Sequence, residues 1–219
     1  MIPKIIWQTY ESEYNNLPIK AKEMSNSWQI QNKDWEHKYV SGEERSIFVK
    51  KYFGKEWHDI YNSYKVNVLR ADLWRYMCLY VHGGLYCDLD MFCKKPIESW
   101  LDINSKFVVS VEPNEMGYTQ SIFASEPKSL FLKDLLDLIK SRYYENRQYN
   151  NVIDYEIYEV GYKIFTESID KTLLIKPNGF VKFLGKDAEK IHFESIEHAY
   201  AGNGNVFDSN YQSWKTESI

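Results

Sequence analysis

Cysteine is scarce in this 219-residue chain: only Cys78, Cys87 and Cys93 occur. The count is odd and no paired metal-ligand spacing is present. That excludes a disulfide framework and a structural zinc site, which would want four ligands at recognisable intervals. Reduced thiols in a cytosolic protein are the expectation. No apolar run approaches the roughly 18 residues of a membrane span. The opening Met-Ile-Pro-Lys-Ile-Ile-Trp-Gln-Thr has no charged segment followed by a long apolar stretch, so no signal peptide is expected there. Positive charge is not in excess either. The net charge of −4 argues against a nucleic-acid partner, because phosphate binding needs a basic surface. Internal repeats and low-complexity tracts are absent, and Gly202-Asn203-Gly204-Asn205 matches no phosphate-loop spacing.

What remains is an ordinary globular composition. Hydrophobic residues make up 44% and charged residues 26%, and the length suits one domain able to bury a core. The 18 tyrosines and 7 tryptophans could stack on sugars, but core packing and biased coding explain them as well.

Hydrophobic spacing predicts strands over residues 3–9, 35–40, 85–88, 107–111, 121–124 and 173–176. Helices are predicted over 19–32, 43–52, 57–64, 66–81, 130–144 and 155–169. The helix over 66–81 is the clearest. Leu69, Leu73, Met77 and Tyr80 recur every three to four residues, and Gly83-Gly84 stops it. Alternating helices and strands favour an α/β sandwich. The stretch from Glu197 to Trp214 has no period and is expected to be a functional loop.

Asp88-Leu89-Asp90 is the triplet with chemical potential. On an extended chain alternate side chains share a face, so both carboxylates would point one way while Leu89 faces the core. Two like charges on one face favour a nearby cation, and oxygen ligands suit Mg²⁺ or Mn²⁺. The pair falls at the carboxyl end of an apolar strand, where ligands of open α/β sheets collect. A solvated carboxylate pair is the plain alternative, but such pairs seldom end so hydrophobic a run. Asp72 and Arg75 lie three residues apart on one face of the preceding helix. They form either a routine ion pair or a polar site for sugar hydroxyls. Trp7 ends the first strand as core or as a platform for a base. His198 is a neutral imidazole that could complete a Mn²⁺ shell, or an exposed side chain.

Two segments together resemble glycosyltransferase family 32. Ile2-Pro3-Lys4-Ile5-Ile6-Trp7-Gln8-Thr9 is similar to that family's opening strand. Arg70-Ala71-Asp72-Leu73-Trp74-Arg75-Tyr76, Leu79-Tyr80, Gly83-Gly84-Leu85-Tyr86 and Asp88-Leu89-Asp90 follow its long ordered block. The later half resembles it loosely. Val160-Gly161-Tyr162 lacks the family's Gly-Pro pair, while His198 and Ser213-Trp214 look like its C-terminal His and Ser-Trp.

The resemblance implies a single GT-A, Rossmann-like α/β domain with a mixed central sheet flanked by helices. Residues 1–110 would form the nucleotide-sugar half, and 111–219 the acceptor half with a C-terminal loop closing the site. It implies transfer of a hexose, with retention, from a nucleotide sugar (a UDP-hexose in preference to GDP-mannose) to a glycan or lipid-linked acceptor. A cytoplasmic protein, peripheral at a membrane carrying that acceptor, fits the same analogy.

The implied donor site comprises Trp7, Gln8, Asp72, Arg75, Asp88, Leu89, Asp90, Ser213 and Trp214. Catalytic roles fall to Asp72, Arg75 and Asp88. Asp90, with Asp88 and His198, would hold Mn²⁺ or Mg²⁺. Trp7 would stack on the base and Trp214 close over the diphosphate. Such an ion would stabilise charge building on the leaving phosphate. Two other readings compete. One is a haloacid dehalogenase-like phosphatase, although Met91 and Phe92 stand where its Thr or Val is wanted. The other is a non-catalytic nucleotide-sugar-binding module.

Overall fold

A computed structural model describes residues 1–111, 117–145, 147–148, 159–175, 181–185, 188 and 192–195. The chain begins with β1 (Ile5–Thr9) and a 3₁₀ turn (Tyr14–Asn16), then α1 (Ile19–Gln31) and β2 (Glu36–Val40). Next come α2 (Gly42–Ser63), α3 (Asn67–His82), β3 (Gly84–Cys87), β4 (Met91–Cys93) and a second 3₁₀ turn (Ile97–Ser99). The later elements are β5 (Phe107–Val111), β6 (Tyr118–Ser125), α4 (Leu130–Glu145), α5 (Tyr162–Ile175), β7 (Val181–Leu184) and β8 (Phe193–Ser195).

Six strands form a mixed sheet in the order β2-β1-β3-β6-β5-β7. β1 runs parallel to β2 and β3, β6 is antiparallel to β3 and β5, and β7 is parallel to β5. β4 and β8 make a separate antiparallel pair. Period-two alternation divides the central strands between two cores. Trp7, Tyr86, Phe107, Val109 and Phe123 face a cluster with α2, α3, α4 and α5. Ile6, Leu85, Cys87, Val108, Ile122 and Ala124 face the other cluster, where Trp28 of α1 packs. The expected mixed sheet flanked by helices is what the structure shows.

The junction of α3 and β3 depends on two glycines. Gly83 closes the helix with φ 67°, its N–H donating to Leu79 O at 2.8 Å, and Gly84 follows at φ 105°. A Cβ on Gly84 would stand 2.6 Å from Ile5 O, and one on Gly83 2.8 Å from Pro3 and Pro127. Both positive φ and close strand approach therefore demand glycine, and together they let α3 turn directly into the sheet centre.

Three expectations need correction. The helices expected at 43–52 and 57–64 are one element, α2, bent at Gly54 (φ 79°). Its start is fixed by a capping box between Ser41 and Glu44. The strand expected at 173–176 is not there: Leu173–Ile175 complete α5, because Ile164, Phe165, Ser168, Ile169 and Thr172 continue one buried helical stripe. Most of the helix expected at 155–169 shifts accordingly to Tyr162–Ile175, and residues 155–158 lie outside the described set. Short β4, β7 and β8 carry too few residues for their alternation to register. Cys78, Cys87 and Cys93 are all buried.

Candidate functional site

The site is assembled where β3 ends. α3 is apolar along most of its length, yet it buries two charged side chains, Asp72 at 1% exposure and Arg75 at 4%. They form an ion pair through Asp72 Oδ1 and Arg75 Nη2, and Asp72 Oδ2 also accepts from Gln120 Nε2 at 3.1 Å. Arg75 Nη1 donates to Gln120 O at 3.0 Å, and its Nη2 lies 3.3 Å from Asp88 Oδ1. The guanidinium also sits over the Tyr86 ring, 4.6 Å from the centroid. Burial alone would lower the Arg75 pKa, but Asp72 and then Asp88 outweigh it and hold the group charged. Tyr86 donates its hydroxyl to Asp88 Oδ1 at 2.5 Å, and burial keeps that hydroxyl protonated well beyond the normal phenol range.

The triplet is not extended. Met91 N–H donates to Asp88 O at 3.2 Å, closing a turn over residues 88–91. The alternation nonetheless survives: Asp88 and Asp90 are half-buried, and Leu89 is buried between them. Leu89 packs with Leu17, Ala21 and Met24, so its side chain anchors the turn. Gln8 is fully buried, with Nε2 donating to Asp88 O at 3.2 Å and Oε1 accepting from Ser25 Oγ at 2.7 Å. Its amide supports the turn. Trp7 likewise lies in the core. Its Nε1 donates to Gly83 O at 2.9 Å, and its ring stacks on His82 with centroids 5.4 Å apart. The ring thus covers the α3–β3 junction.

His198, Ser213 and Trp214 lie outside the described residues. Among the described residues no group of three or more His, Cys, Asp or Glu side chains is gathered for a metal. The turn does present two half-buried carboxylates, a donor set that suits an ion drawing its remaining oxygens from phosphate and water. Asp88 Oδ1 is engaged by Tyr86 and Arg75. Gln120, Tyr76 and Tyr86 were not singled out from the sequence. Gln120 stands in the polar run Tyr118-Thr119-Gln120-Ser121 at the head of a strand, and that run was the only available signal. Its Oε1 accepts from Tyr76 OH, completing a polar floor beneath Arg75.

Residues 18–107 match the family model for the glycosyltransferase sugar-binding region containing the DXD motif. An uncharacterized glycosyltransferase of Acanthamoeba polyphaga mimivirus is 25% identical over 194 residues, covering 88% of this chain and 73% of that protein. Inositol phosphoceramide mannosyltransferase 1 of Schizosaccharomyces pombe is 33% identical over 135 residues. That match covers 60% of this chain and only 40% of the yeast enzyme. Among solved structures, the PaToxG glycosyltransferase superposes with a TM-score of 0.60 at 15% identity, over 79% of this chain and 70% of that one. These matches and the mixed sheet displace the phosphatase reading. Residues 18–107 are thus similar to the sugar-binding region of glycosyltransferases that carry the DXD motif, and the chain is built on the GT-A fold.

Proposed function

We propose that this chain transfers a hexose from a nucleoside diphosphate sugar to a glycan or lipid-linked acceptor, with retention and with the help of Mn²⁺ or Mg²⁺. The observation that carries this reading is the buried Arg75 tying Asp72 of α3 to Asp88 of the DXD turn. A charged network of that kind is costly inside an apolar helix unless it serves a ligand's polar groups. The mannosyl name of the S. pombe relative favours GDP-mannose over a UDP-hexose.

In this reading Asp90 holds the cation, together with Asp88 and His198 where they reach it. When bound, the cation offsets negative charge on the departing diphosphate. Asp72 and Arg75 hydrogen-bond sugar hydroxyls from below, and Arg75 fixes the Asp88 carboxylate against the sugar. Asp88, held by Tyr86 OH and Arg75, lies beside a ring that becomes oxocarbenium-like as the glycosidic bond breaks. Ser213 and Trp214 are assigned to closure over the diphosphate. Among the described residues no helix is long and apolar enough to cross a membrane; the contact proposed with a membrane carrying a lipid-linked acceptor is peripheral.

A panel of nucleotide sugars incubated with the protein and Mn²⁺ tests this, since hydrolysis needs no known acceptor. Release of nucleoside diphosphate from one sugar, GDP-mannose first, is the expected result. Turnover of simple phosphate esters with no nucleotide sugar consumed would overturn it.

A further inference from the structure

The DXD turn carries two carboxylates close together, and their repulsion must be borne by whatever holds its backbone. β4, which leaves the turn, is only three residues long and pairs on one side with β8. Its other side meets α1. Trp28 Nε1 donates to Met91 O at 2.7 Å, and Cys93 N–H donates to Ser27 Oγ at 2.8 Å. Asn32, at the end of the same helix, accepts from Ile97 N–H at 2.6 Å. Ser25 of α1 donates to Gln8 Oε1, and Gln8 Nε2 in turn reaches Asp88 O. Leu89 is gripped by Ala21 and Met24 of the same helix, with Leu17 just before it.

All of these polar side chains are buried. A helix that only packed against the sheet would present apolar groups there, since burying a polar group costs free energy unless it is bonded. Here Ser27, Trp28, Asn32 and Gln8 direct bonds onto backbone atoms between residues 88 and 97.

We infer that α1 is a clamp for the DXD turn, with Ser27, Trp28 and the Ser25–Gln8 pair acting as positioning residues for cation and diphosphate. Held on both flanks, the turn meets its ligand already ordered, so binding bears little ordering cost. The inference rests on the donor and cation reading above, and the test separates the two.

Mn²⁺ affinity is measured by titration calorimetry in the presence of GDP, with thermal midpoints recorded alongside. Trp28→Phe keeps the ring and removes only the donor, and Ser27→Ala removes the acceptor for Cys93 N–H. Trp35→Phe is the control: Trp35 is buried in the same cluster, and its Nε1 has no partner among the described residues. Mn²⁺ binding about tenfold weaker in Trp28→Phe, weaker in Ser27→Ala and unchanged in Trp35→Phe is the expected pattern, as for other groups that orient metal ligands. Should Trp28→Phe not fold, Ser27→Ala decides. Wild-type affinity in the clamp variants, or equal loss in Trp35→Phe, overturns the clamp alone. A wild-type protein that takes up no Mn²⁺ with GDP overturns the cation reading and the clamp together.

Discussion

Arg75 Nη2 stands 3.3 Å from Asp88 Oδ1, so a helix residue reaches across to the first carboxylate of the DXD turn. The same guanidinium neutralises Asp72, which is almost wholly buried. One positive charge thus serves two carboxylates of different exposure.

Replacing Arg75 by Met strands the Asp72 carboxylate in the core. A loss of about 3–5 kcal/mol in unfolding free energy is expected, as for a buried ion pair deprived of one partner. Arg75→Met with Asp72→Asn recovers part of that loss. Urea denaturation of wild type and the two variants checks both statements.

Gly84 permits no side chain. A Cβ there would meet Ile5 O at 2.6 Å, on a residue with φ 105°. Gly84→Ala is expected to cost about 2–4 kcal/mol, from backbone strain and a displaced β1 combined. Gly54→Ala, at φ 79° but with open space around it, should cost less. Comparing the two denaturation midpoints separates strain from crowding.

The ordered block from Arg70 to Asp90 could be read ahead of the structure because it is local. α3 ends within one residue of its expected limit, and β3 follows the double glycine directly. Long-range relations were harder. Nothing near Trp7 in sequence says that His82 will stack on its ring and Gly83 O accept from its N–H. The Gln8 amide bonds Asp88 O and Ser25, partners 80 and 17 residues away that its sequence neighbourhood does not announce. Gln120 escaped notice for the same reason, since its bonds to Asp72 and Arg75 cross 48 and 45 residues. Leu173 and Leu174 form an apolar run that suggests a strand, whereas the buried stripe of α5 sets the outcome and leaves both exposed.

Tyr86→Phe removes one hydrogen bond from Asp88 and leaves the ring beneath Arg75. Stability should fall by about 1 kcal/mol, the usual net worth of such a bond. Donor KM should rise more than kcat falls, because the change loosens Asp88 before the reaction begins. Denaturation and steady-state kinetics with the accepted sugar nucleotide check the pair of effects.

Burial lowers the pKa of His37 from its ordinary 6.5, and burial also lowers those of His82 and His192. The folded state therefore binds fewer protons than the unfolded chain once pH drops below about 6.5. Stability is full above that value and declines as pH falls through it toward the lower folded pKa values. His37→Gln should flatten the decline, measured as thermal midpoint against pH from 8 to 5 in steps of about half a unit.

Asp90→Ala should leave the thermal midpoint close to wild type, since Asp90 is a half-buried turn residue. Donor hydrolysis should drop on the order of 100-fold or more, the scale seen when one stabiliser of developing charge is lost.

The most direct test is calorimetric titration of GDP, and of UDP for comparison, into wild type and Asp90→Ala with and without Mn²⁺. The account predicts that Mn²⁺ tightens nucleotide binding to wild type about tenfold or more and has no effect on Asp90→Ala. Equal tightening by Mn²⁺ in both proteins would contradict it.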